Sequence, residues 1–417
     1  MPDDTGLDPT RQCRVRRGAL WSAPPLLLSN YGSNRAALWL FIPISHLPDL
    51  FSRMTHRHGA VHMNFEQLLR ENEPLAPMTT LGIGGAARYF ADVTTVEALS
   101  SGIEWARALK LPHFVLGGGS NIVVADSGFA GLVLRMSIRG IETRSSGDNV
   151  LITAGAGEEW DPLVARCVAG NWAGFECLSG IPGRVGATPI QNVGAYGQET
   201  SESLTSVQAL DQVTGNIVEL NAVDCEFGYR TSRFKERDRA RFVIAQVTYR
   251  LSVNGKPAVR YPELQKYLAE RGVNNPSLAD VRDAVLTIRR RKAMVIDPSD
   301  TDSRSVGSFF VNPVVSIAEL ERIKQDLSSD DLPAFPVSQD RVKLSAAWLI
   351  ERAGIARGYP YGNVGTSTKH ALAIVNRGGG TAREVIELKD FIQKRVLDLT
   401  GIALAVEPVF VGFENSV

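Results

Sequence analysis

The chain has 417 residues, of which 44% are hydrophobic and 22% are charged, as in globular proteins that fold in water. Its 45 basic and 45 acidic side chains balance, so the composition gives no support for binding to nucleic acid or to another acidic surface. The four cysteines are irregularly spaced and form no C-x-x-C pair, which predicts neither a disulfide framework nor a metal site and makes a reducing cytoplasm the simplest compartment. Two or three domains are expected, because single cores rarely exceed about 250–300 residues.

The first 62 residues differ from the rest of the chain. They hold several arginines and prolines and four of the six histidines. The apolar run at 36–44 is shorter than the roughly 20 residues that span a bilayer. The run begins too far from the N-terminus for a typical signal peptide, and no clear small-residue cleavage site follows it. We therefore expect residues 1–62 to be a disordered extension, or sequence upstream of a natural start near Met63, and we expect no membrane insertion. A targeting role is the alternative.

An apolar strand predicted at 112–116 leads directly into a run of small and polar residues. The run consists of Gly117, Gly118, Gly119, Ser120 and Asn121. N–H groups in such a turn can converge on an anion. Three consecutive glycines exceed what the alternative, a tight strand-to-strand turn, requires, so phosphate binding is favoured. The run is not a P-loop, because no G-K-[ST] follows, and it lacks the dinucleotide-binding fingerprint G-x-G-x-x-G.

Residues 181–197, I-P-G-R-V-G-A-T-P-I-Q-N-V-G-A-Y-G, combine four glycines and two prolines with almost no charge. Breakers at that density exclude a regular helix, and a flexible linker would be more polar. We expect a buried, irregular main-chain platform, in which glycines allow a flat or phosphorylated cofactor to approach closely. A structural turn cluster between strands is an equally good alternative.

Helices and strands alternate along the rest of the chain, which predicts an α+β protein. Helices are predicted from Thr94 or Thr95 to about Leu109, and at 160–169, 276–293, 345–353 and 381–399. Strands are predicted at 131–135, 150–154, 206–210, 216–220, 241–251, 370–376 and 402–412. The segment 358–368 is predicted to be a glycine-bearing loop.

Three polar residues in apolar settings are the candidate catalytic groups. Arg230 lies among aromatic residues that could hold its guanidinium rigidly, although an exposed strand-edge arginine is commoner. Ser308 follows a glycine and precedes two phenylalanines, which suits a positioned proton donor, and a plain strand start explains the same residues equally well. Glu407 lies in an apolar segment, where it either faces water or is buried with a raised pKa and a function.

Seven motifs, in order over residues 79–412, resemble the UDP-N-acetylenolpyruvoylglucosamine reductase (MurB) family. They are T-T-L-G-I-G-G, L-G-G-G-S-N, I-P-G-x-V-G-A-x-P-I-Q-N-x-G-A-Y-G, F-G-Y-R-x-S-x-F-K, G-S-F-F-x-N-P, H-A-L-x-I-V-N and L-x-x-E-P-x-x-x-G. The segment 260–273, with R-Y-P-E-L, resembles the family branch that keeps a substrate-covering tyrosine loop.

The resemblance implies an FAD-binding fold of the PCMH/vanillyl-alcohol-oxidase type in two subdomains, plus a smaller C-terminal α+β substrate-binding domain. The expected boundaries are 63–137, joined by a C-terminal strand at 403–417, then 138–290, and 291–402 for the substrate domain. FAD is expected to be non-covalent. The turn at 117–121 would hold its pyrophosphate. The platform would line the flavin through Ile181, Pro182, Gly183, Gly186, Ala187, Gln191, Asn192, Gly194, Ala195 and Tyr196.

The resemblance also implies a reaction in peptidoglycan precursor synthesis, with NADPH as hydride donor and UDP-N-acetylglucosamine enolpyruvate as substrate. Ser308 would protonate C2 of the enolpyruvyl group, Arg230 would supply fixed positive charge, and Glu407 would act as a neutral hydrogen-bonding acid. The substrate's diphosphate and sugar would contact Tyr261, Lys292, Asn312 and His370, the last of which could equally be a packed strand residue. The enzyme is expected to be a cytoplasmic monomer.

Two rival functions fit parts of the sequence. An oxidase of the same flavin fold would often tether FAD through a histidine, but the two glycine-rich stretches contain none and His113 precedes the first of them. A flavin-binding sensor or structural protein without activity is disfavoured, because Arg230, Ser308 and Glu407 are all present together.

Overall fold

A computed structural model describes residues 64–413 of the chain, so the expectations for residues 1–62 lie outside it. The helices of this part are α1 (Val96–Ala108), α2 (Trp160–Ala169), α3 (Pro262–Glu270), α4 (Leu278–Arg291), α5 (Ile317–Leu327), α6 (Ala346–Arg352) and α7 (Ala382–Thr400). None of them has both the length and the apolar content that a membrane span requires.

The strands of residues 64–413 are β1 (Arg70–Pro74), β2 (Ala86–Val93), β3 (His113–Leu116), β4 (Ile122–Val124), β5 (Phe129–Met136), β6 (Ile141–Ser146), β7 (Asn149–Gly155), β8 (Trp172–Ala173), β9 (Gly194–Ala195), β10 (Gln198–Glu199), β11 (Leu204–Asp211), β12 (Ile217–Asn221), β13 (Phe242–Val253), β14 (Val314–Ser316), β15 (Ala334–Pro336), β16 (Arg341–Leu344), β17 (Pro360–Tyr361), β18 (Val364–Thr366), β19 (Ile374–Asn376) and β20 (Val409–Val411).

Four of the five predicted helices begin at hydroxyl N-caps, and α2 follows Glu159, whose side chain makes no cap bond. Thr95, Ser277, Ser345 and Thr381 each accept a hydrogen bond from the backbone N–H three residues later. These bonds satisfy N–H groups that have no partner within the helix. All five predicted helices are confirmed to within about two residues at each end.

Two sheets form the first two thirds of the described chain. The first has the order β1-β2-β5-β3, with β2 and β3 parallel to β5, and its core contains Phe90, Leu116 and Val133. The second is antiparallel, in the order β12-β11-β13-β7-β6. Between β3 and β5 in sequence lies β4, which belongs to neither sheet and pairs in parallel with β20 from the end of the chain. That pairing brings residues near 122 and 409 together.

The last third carries two small antiparallel sheets, β14-β16-β15 and β17-β18-β19, together with α5, α6 and α7. One apolar cluster unites them, and it includes Phe309, Phe310, Leu349 and Ile392. The apolar positions of α7 fall at spacings of three and four, so one face of this helix joins the cluster.

Three local predictions were wrong. The loop predicted at 358–368 contains the hairpin of β17 and β18. The strand predicted at 370–376 is reduced to β19, because the chain turns at His370 and the N–H of Ala373 bonds back to its carbonyl. Glu407 does not lie in a strand: Pro408 follows it and has no N–H to donate, so the strand begins at Val409.

Candidate active site

The two glycine-rich stretches lie against each other. A Cβ on Gly118 would stand 2.7 Å from the Cα of Gly183, and the hydroxyl of Ser120 donates to the carbonyl of Pro182 at 3.1 Å. Only glycine allows two backbones to approach so closely. Gly119 has φ +65° and a Cβ there would collide with the carbonyl of Met78. The contact places the predicted phosphate turn beside the predicted flavin platform.

Gly117 is different from its two neighbours. A Cβ at this position would meet no atom within 4 Å, and its φ is not in the left-handed region. No packing in the described residues therefore requires glycine here. Open space beside main-chain N–H groups is what a bound phosphate or pyrophosphate would need.

Amide side chains link the turn and the platform to Glu407. The Asn121 amide donates to Gln191 Oε1 and to the Glu407 carbonyl, each at 3.3 Å. The Gln191 amide donates to Glu407 Oε1 at 3.4 Å. The N–H of Val409 donates to the Asn121 carbonyl at 3.0 Å, which continues the β4–β20 pairing. The pairing of two distant segments thus delivers Glu407 to the platform.

Arg230 reaches the same point from the loop between β12 and β13. Its Nε lies 3.9 Å from Glu407 Oε1, and its Nη1 lies 3.5 Å from where a Cβ on Gly194 would stand. The backbone of Arg230 is left-handed, with φ +57°, and Lys235 Nζ donates to its carbonyl at 3.0 Å. Strained backbone at a non-glycine residue is typical of functional sites, where surrounding contacts enforce it.

Glu407 is a buried carboxyl in a mixed electrostatic environment. Its side chain is 13% exposed. Burial raises its pKa above the ordinary value, and the positive charges of Arg230 and Lys235 offset only part of that effect. A carboxyl with a raised pKa can keep its proton and donate a hydrogen bond.

Ser308 directly precedes Phe309, whose backbone is hydrogen-bonded to the backbone of Glu407. The N–H of Glu407 donates to the Phe309 carbonyl at 2.9 Å, and the N–H of Phe309 donates to the Leu372 carbonyl at 2.8 Å. Gly307 has φ +76°, and a Cβ there would meet nothing within 4 Å. The structure therefore brings the Ser308 segment, Arg230 and Glu407 together, beside open space.

The predicted platform residues differ in what their side chains do. The Asn192 amide is buried, donating to Glu199 Oε2 at 2.6 Å and to the Gly228 carbonyl at 3.1 Å, while its oxygen accepts from Ser201 N. Asn192 can thus offer a cofactor only main chain. Gly186 packs on Ala156, whose carbonyl accepts its N–H at 3.0 Å. Tyr196 has φ +49°.

Tyr261 and Lys292 lie at the edge of the platform. The Tyr261 ring is 38% exposed and packs edge-on against Tyr196, with ring centroids 5.5 Å apart. Lys292 Nζ pairs with Glu263 Oε2 at 2.6 Å, so this lysine has a partner within the protein. A substrate phosphate would have to compete with or join that pair.

Asn312 and His370 are held by backbone. Asn312 Oδ1 accepts from the N–H of Ala346 at 2.9 Å and so supports the start of α6. His370 Nδ1 accepts from the N–H of Leu372 at 3.1 Å, which leaves the ring proton on Nε2. Burial, with Lys292 and Arg357 nearby, lowers the pKa of His370 to about 4, so it is neutral at pH 7.

Two cations in this region were not singled out by sequence reasoning. Lys343, on β16, places Nζ 4.7 Å from the centroid of the Tyr229 ring, and burial beside Arg230 lowers its pKa. Arg289, in the last turn of α4, has an Nε–H that is closed to water and has no acceptor among the described residues. Lys343 carried no signal in its strand. The sequence has a basic run at 289–292 that suits a helix end, with the alternative that one of its residues reaches a substrate phosphate, and this pattern does not single out Arg289.

These features fit FAD. A large anionic cofactor could accept a hydrogen bond from the unpaired, buried Nε–H of Arg289 beside Gly180, and it could fill the open space at Gly117. His113, the histidine that precedes the turn in sequence, has a partner within the protein: its Nε2 is hydrogen-bonded to Gln212 at 2.6 Å. In residues 64–413, no group of three or more His, Cys, Asp or Glu side chains is placed to hold a metal ion.

Comparisons with known proteins agree with an FAD-binding protein. The family model described as "FAD binding domain" matches residues 87–221, and the model described as "UDP-N-acetylenolpyruvoylglucosamine reductase, C-terminal domain" matches residues 297–411. Proteins named UDP-N-acetylenolpyruvoylglucosamine reductase from Thermobifida fusca and Saccharopolyspora erythraea are each 46% identical, over 82% and 81% of this chain and 97% and 94% of their own lengths.

A solved structure agrees at the level of the fold. The crystal structure of UDP-N-acetylenolpyruvylglucosamine reductase (MurB) from Thermus caldophilus aligns with a TM-score of 0.57 at 24% identity, covering 82% of this chain and 99% of that one. The resemblance inferred from the motifs is confirmed. The chain has an FAD-binding domain and a reductase C-terminal domain, and it belongs to the UDP-N-acetylenolpyruvoylglucosamine reductase family.

Proposed function

We propose that this chain reduces UDP-N-acetylglucosamine enolpyruvate to UDP-N-acetylmuramate with NADPH through bound FAD, in peptidoglycan precursor synthesis. The observation that carries the proposal is the meeting of Arg230, Glu407 and the Ser308 segment beside the glycine platform. A guanidinium, a carboxyl able to stay neutral and an alcohol are the groups that such a reduction needs.

We assign cofactor binding and substrate binding to different segments of the chain. FAD binds residues 63–137, together with the C-terminal segment 403–417, and residues 138–290, while residues 291–402 bind the sugar nucleotide. The turn at 117–121 holds the pyrophosphate. The stretch from Ile181 to Tyr196 lines the flavin mainly through main chain, as the internal bonds of the Asn192 side chain require.

When bound, FAD supplies the hydride chemistry, carrying a hydride from NADPH to C3 of the enolpyruvyl group. Addition at C3 leaves an electron pair at C2 beside the carboxylate, and the resulting dianion is costly without help. Arg230 supplies fixed positive charge to that carboxylate. Glu407, with its raised pKa, donates a hydrogen bond to the same group as a neutral acid.

Ser308 completes the reaction by protonating C2. A hydroxyl is a weak acid in water, but the carbanion is a stronger base, so position matters more than the pKa of the serine. The C2–H bond forms as the serine O–H bond breaks, and the alkoxide regains a proton from solvent. Open space at Gly307 leaves room for the substrate beside this hydroxyl.

Cationic and polar groups around this centre suit the diphosphate and sugar. We assign Tyr261, Lys292, Asn312 and His370 to the substrate, and add Lys343, which lies over the Tyr229 ring next to Arg230. NADPH and nucleotide-activated sugars are cytoplasmic metabolites, so we place the enzyme in the cytoplasm. Arg230, Ser308 and Glu407 all come from one chain, and we therefore propose that the enzyme is a monomer. Light scattering of the FAD-loaded protein would check this.

An anaerobic titration tests the reaction. NADPH should bleach the bound flavin at about 450 nm, and the enolpyruvyl nucleotide should restore the yellow colour without oxygen. UDP-N-acetylglucosamine, which lacks the enolpyruvyl group, is the matched control and should leave the flavin reduced. Failure of the enolpyruvyl nucleotide to reoxidise the flavin would contradict the proposal. Denaturation should release free FAD into the filtrate.

A further inference from the structure

Glu176 is a buried carboxylate outside the site described so far. It is 1% exposed and makes no ion pair with any cation in residues 64–413. Its bonds are all to neutral donors. Gly174 N–H reaches Oε2 at 2.9 Å, while the Gln198 amide and the Ala258 N–H reach Oε1 at 3.2 and 2.7 Å. Burying a carboxylate is costly, so a fully bonded one without a counter-ion calls for an explanation.

The two distant partners of Glu176 belong to the two loops that carry the tyrosines of the platform edge. Gln198 follows Tyr196 in the hairpin of β9 and β10. Ala258 precedes Tyr261 in the segment that leads into α3. The rings of Tyr196 and Tyr261 meet edge-on, at an interplanar angle of 87°. One carboxylate therefore connects both segments that present this ring pair, through the Gln198 side chain in one and the Ala258 backbone in the other.

Cys177, the next residue, repeats the same connections. Its N–H donates to Gln198 Oε1 at 3.0 Å, and its Sγ donates to the Ala258 carbonyl at 2.9 Å. Beyond Ala258 the loop is fixed at two more points on either side of Tyr261. Arg260 pairs with Glu202 at 2.8 Å, and Glu263 pairs with Lys292 at 2.6 Å. The first pair is exposed and contributes little, and the second is half-buried.

We propose that Glu176 is a positioning residue that sets Tyr261 against Tyr196 over the substrate site, through its bonds to Gln198 and Ala258. The proposal rests on the proposed function, because it assumes that Tyr261 contacts the sugar nucleotide. Because Glu176 is 1% exposed and its oxygens are bonded within the protein, we assign it no direct contact with substrate or cofactor. Its carboxylate offers oxygen to every donor, whereas a glutamine must turn its NH2 toward at least one N–H and break that bond.

The test is the Glu176→Gln variant of the FAD-loaded protein. We expect KM for the enolpyruvyl nucleotide to rise about tenfold, because a displaced contact weakens binding, while kcat falls less than about threefold. In a double-mutant cycle with Tyr261→Ala, the double variant should show no further rise in KM beyond Tyr261→Ala alone. Additive effects, or an unchanged KM in Glu176→Gln, would overturn the proposal.

Asp211→Asn is the matched control. Asp211 is also a buried carboxylate, 2% exposed, at the end of β11 where the chain turns toward β12. It accepts a hydrogen bond from the N–H of Val213 and pairs with Arg241. Its loss should lower Tm and leave KM unchanged. If Glu176→Gln shows the same pattern, its role is structural only and the inference fails.

Hydrogen exchange gives a second measurement, which does not depend on a folded variant. In the wild-type protein, the amide of Ala258 should exchange at least about tenfold more slowly than the amides of Gly147 and Asp148 in the exposed turn between β6 and β7. Equal exchange rates would mean that the bond to Glu176 is not maintained, and would overturn the proposal. A wild-type protein that the nucleotide cannot reoxidise would instead point to failure of the proposed function.

Discussion

Arg230 Nε lies 3.9 Å from Glu407 Oε1, although the two residues are 177 positions apart in the chain. The separation is longer than a direct hydrogen bond, so the guanidinium does not tie the carboxyl down as a tight ion pair. The raised pKa of Glu407 agrees with this loose contact, because burial outweighs the neighbouring positive charge. The pair can therefore divide its work between a fixed cation and a neutral acid.

The raised pKa of Glu407 has a testable pH dependence. The folded protein holds a proton on Glu407 that the unfolded chain releases near the ordinary value of 4.5. Stability therefore falls as pH rises from 4.5 through the raised folded value, because the native state binds more protons in that window. Glu407→Gln should remove this decline, as measured by urea unfolding across the pH range.

The same pKa governs the reaction. The nucleotide half-reaction should slow as pH rises through the folded pKa of Glu407, while flavin reduction by NADPH should show no matching limb. Stopped-flow traces of the two half-reactions separate them. Glu407→Gln keeps a hydrogen-bond donor and should lose the limb, whereas Glu407→Leu should lose about 100-fold or more in the rate. A pH limb that persists in Glu407→Gln belongs to another group.

Ser308→Ala should divide the two half-reactions. NADPH should still bleach the flavin at a rate within about twofold of wild type, whereas reoxidation by the nucleotide should slow by about 100-fold to 10,000-fold, the range for a lost general acid. Ser145→Ala, on the exposed strand β6, is the control and should leave both rates unchanged. Equal losses in both half-reactions would argue against a proton-donor role.

The adjacent glycines of the turn should respond differently to alanine. Gly118→Ala forces a Cβ to within 2.7 Å of Gly183, so we expect the free energy of unfolding to fall by about 1–3 kcal/mol even without FAD. Gly117→Ala meets no atom within 4 Å and should leave the FAD-free protein as stable as wild type. It should nevertheless weaken FAD binding, as measured by flavin fluorescence titration. Unchanged FAD affinity in Gly117→Ala would mean that the cofactor lies elsewhere.

His370 should remain neutral throughout the working pH range. Its folded pKa of about 4 lies below the ordinary value of 6.5. The unfolded chain binds more protons between these values, so stability falls as pH falls from 6.5 to 4. An NMR titration of its ring protons, assigned by comparison with His370→Asn, should show the midpoint near 4. A midpoint above 6 would contradict the burial that the structure shows.

The local elements were largely predictable from sequence. Ser277 and Thr381 mark helix starts because their hydroxyls satisfy free N–H groups, which depends only on neighbouring residues. Glu407 was placed in a strand because its neighbours are apolar, and Pro408 ended the ladder before reaching it. Lys343 and Glu176 were not recognised, because the local sequence around a lysine in a short strand, or around a glutamate at the start of a short 3-10 helix, does not show which distant residues will surround it.

The sequence by itself determined the family, the helices with their caps, and the residue types required for the chemistry, since motif order and capping are properties of neighbouring residues. Only the tertiary structure decided that Gly118 meets Gly183, that β4 and β20 deliver Glu407 to Arg230, and that Glu176 joins two distant loops. Such contacts depend on pairing and burial between segments far apart in the chain. Burial also shifts the pKa values of Glu407 and His370, and it is known only once the chain is folded.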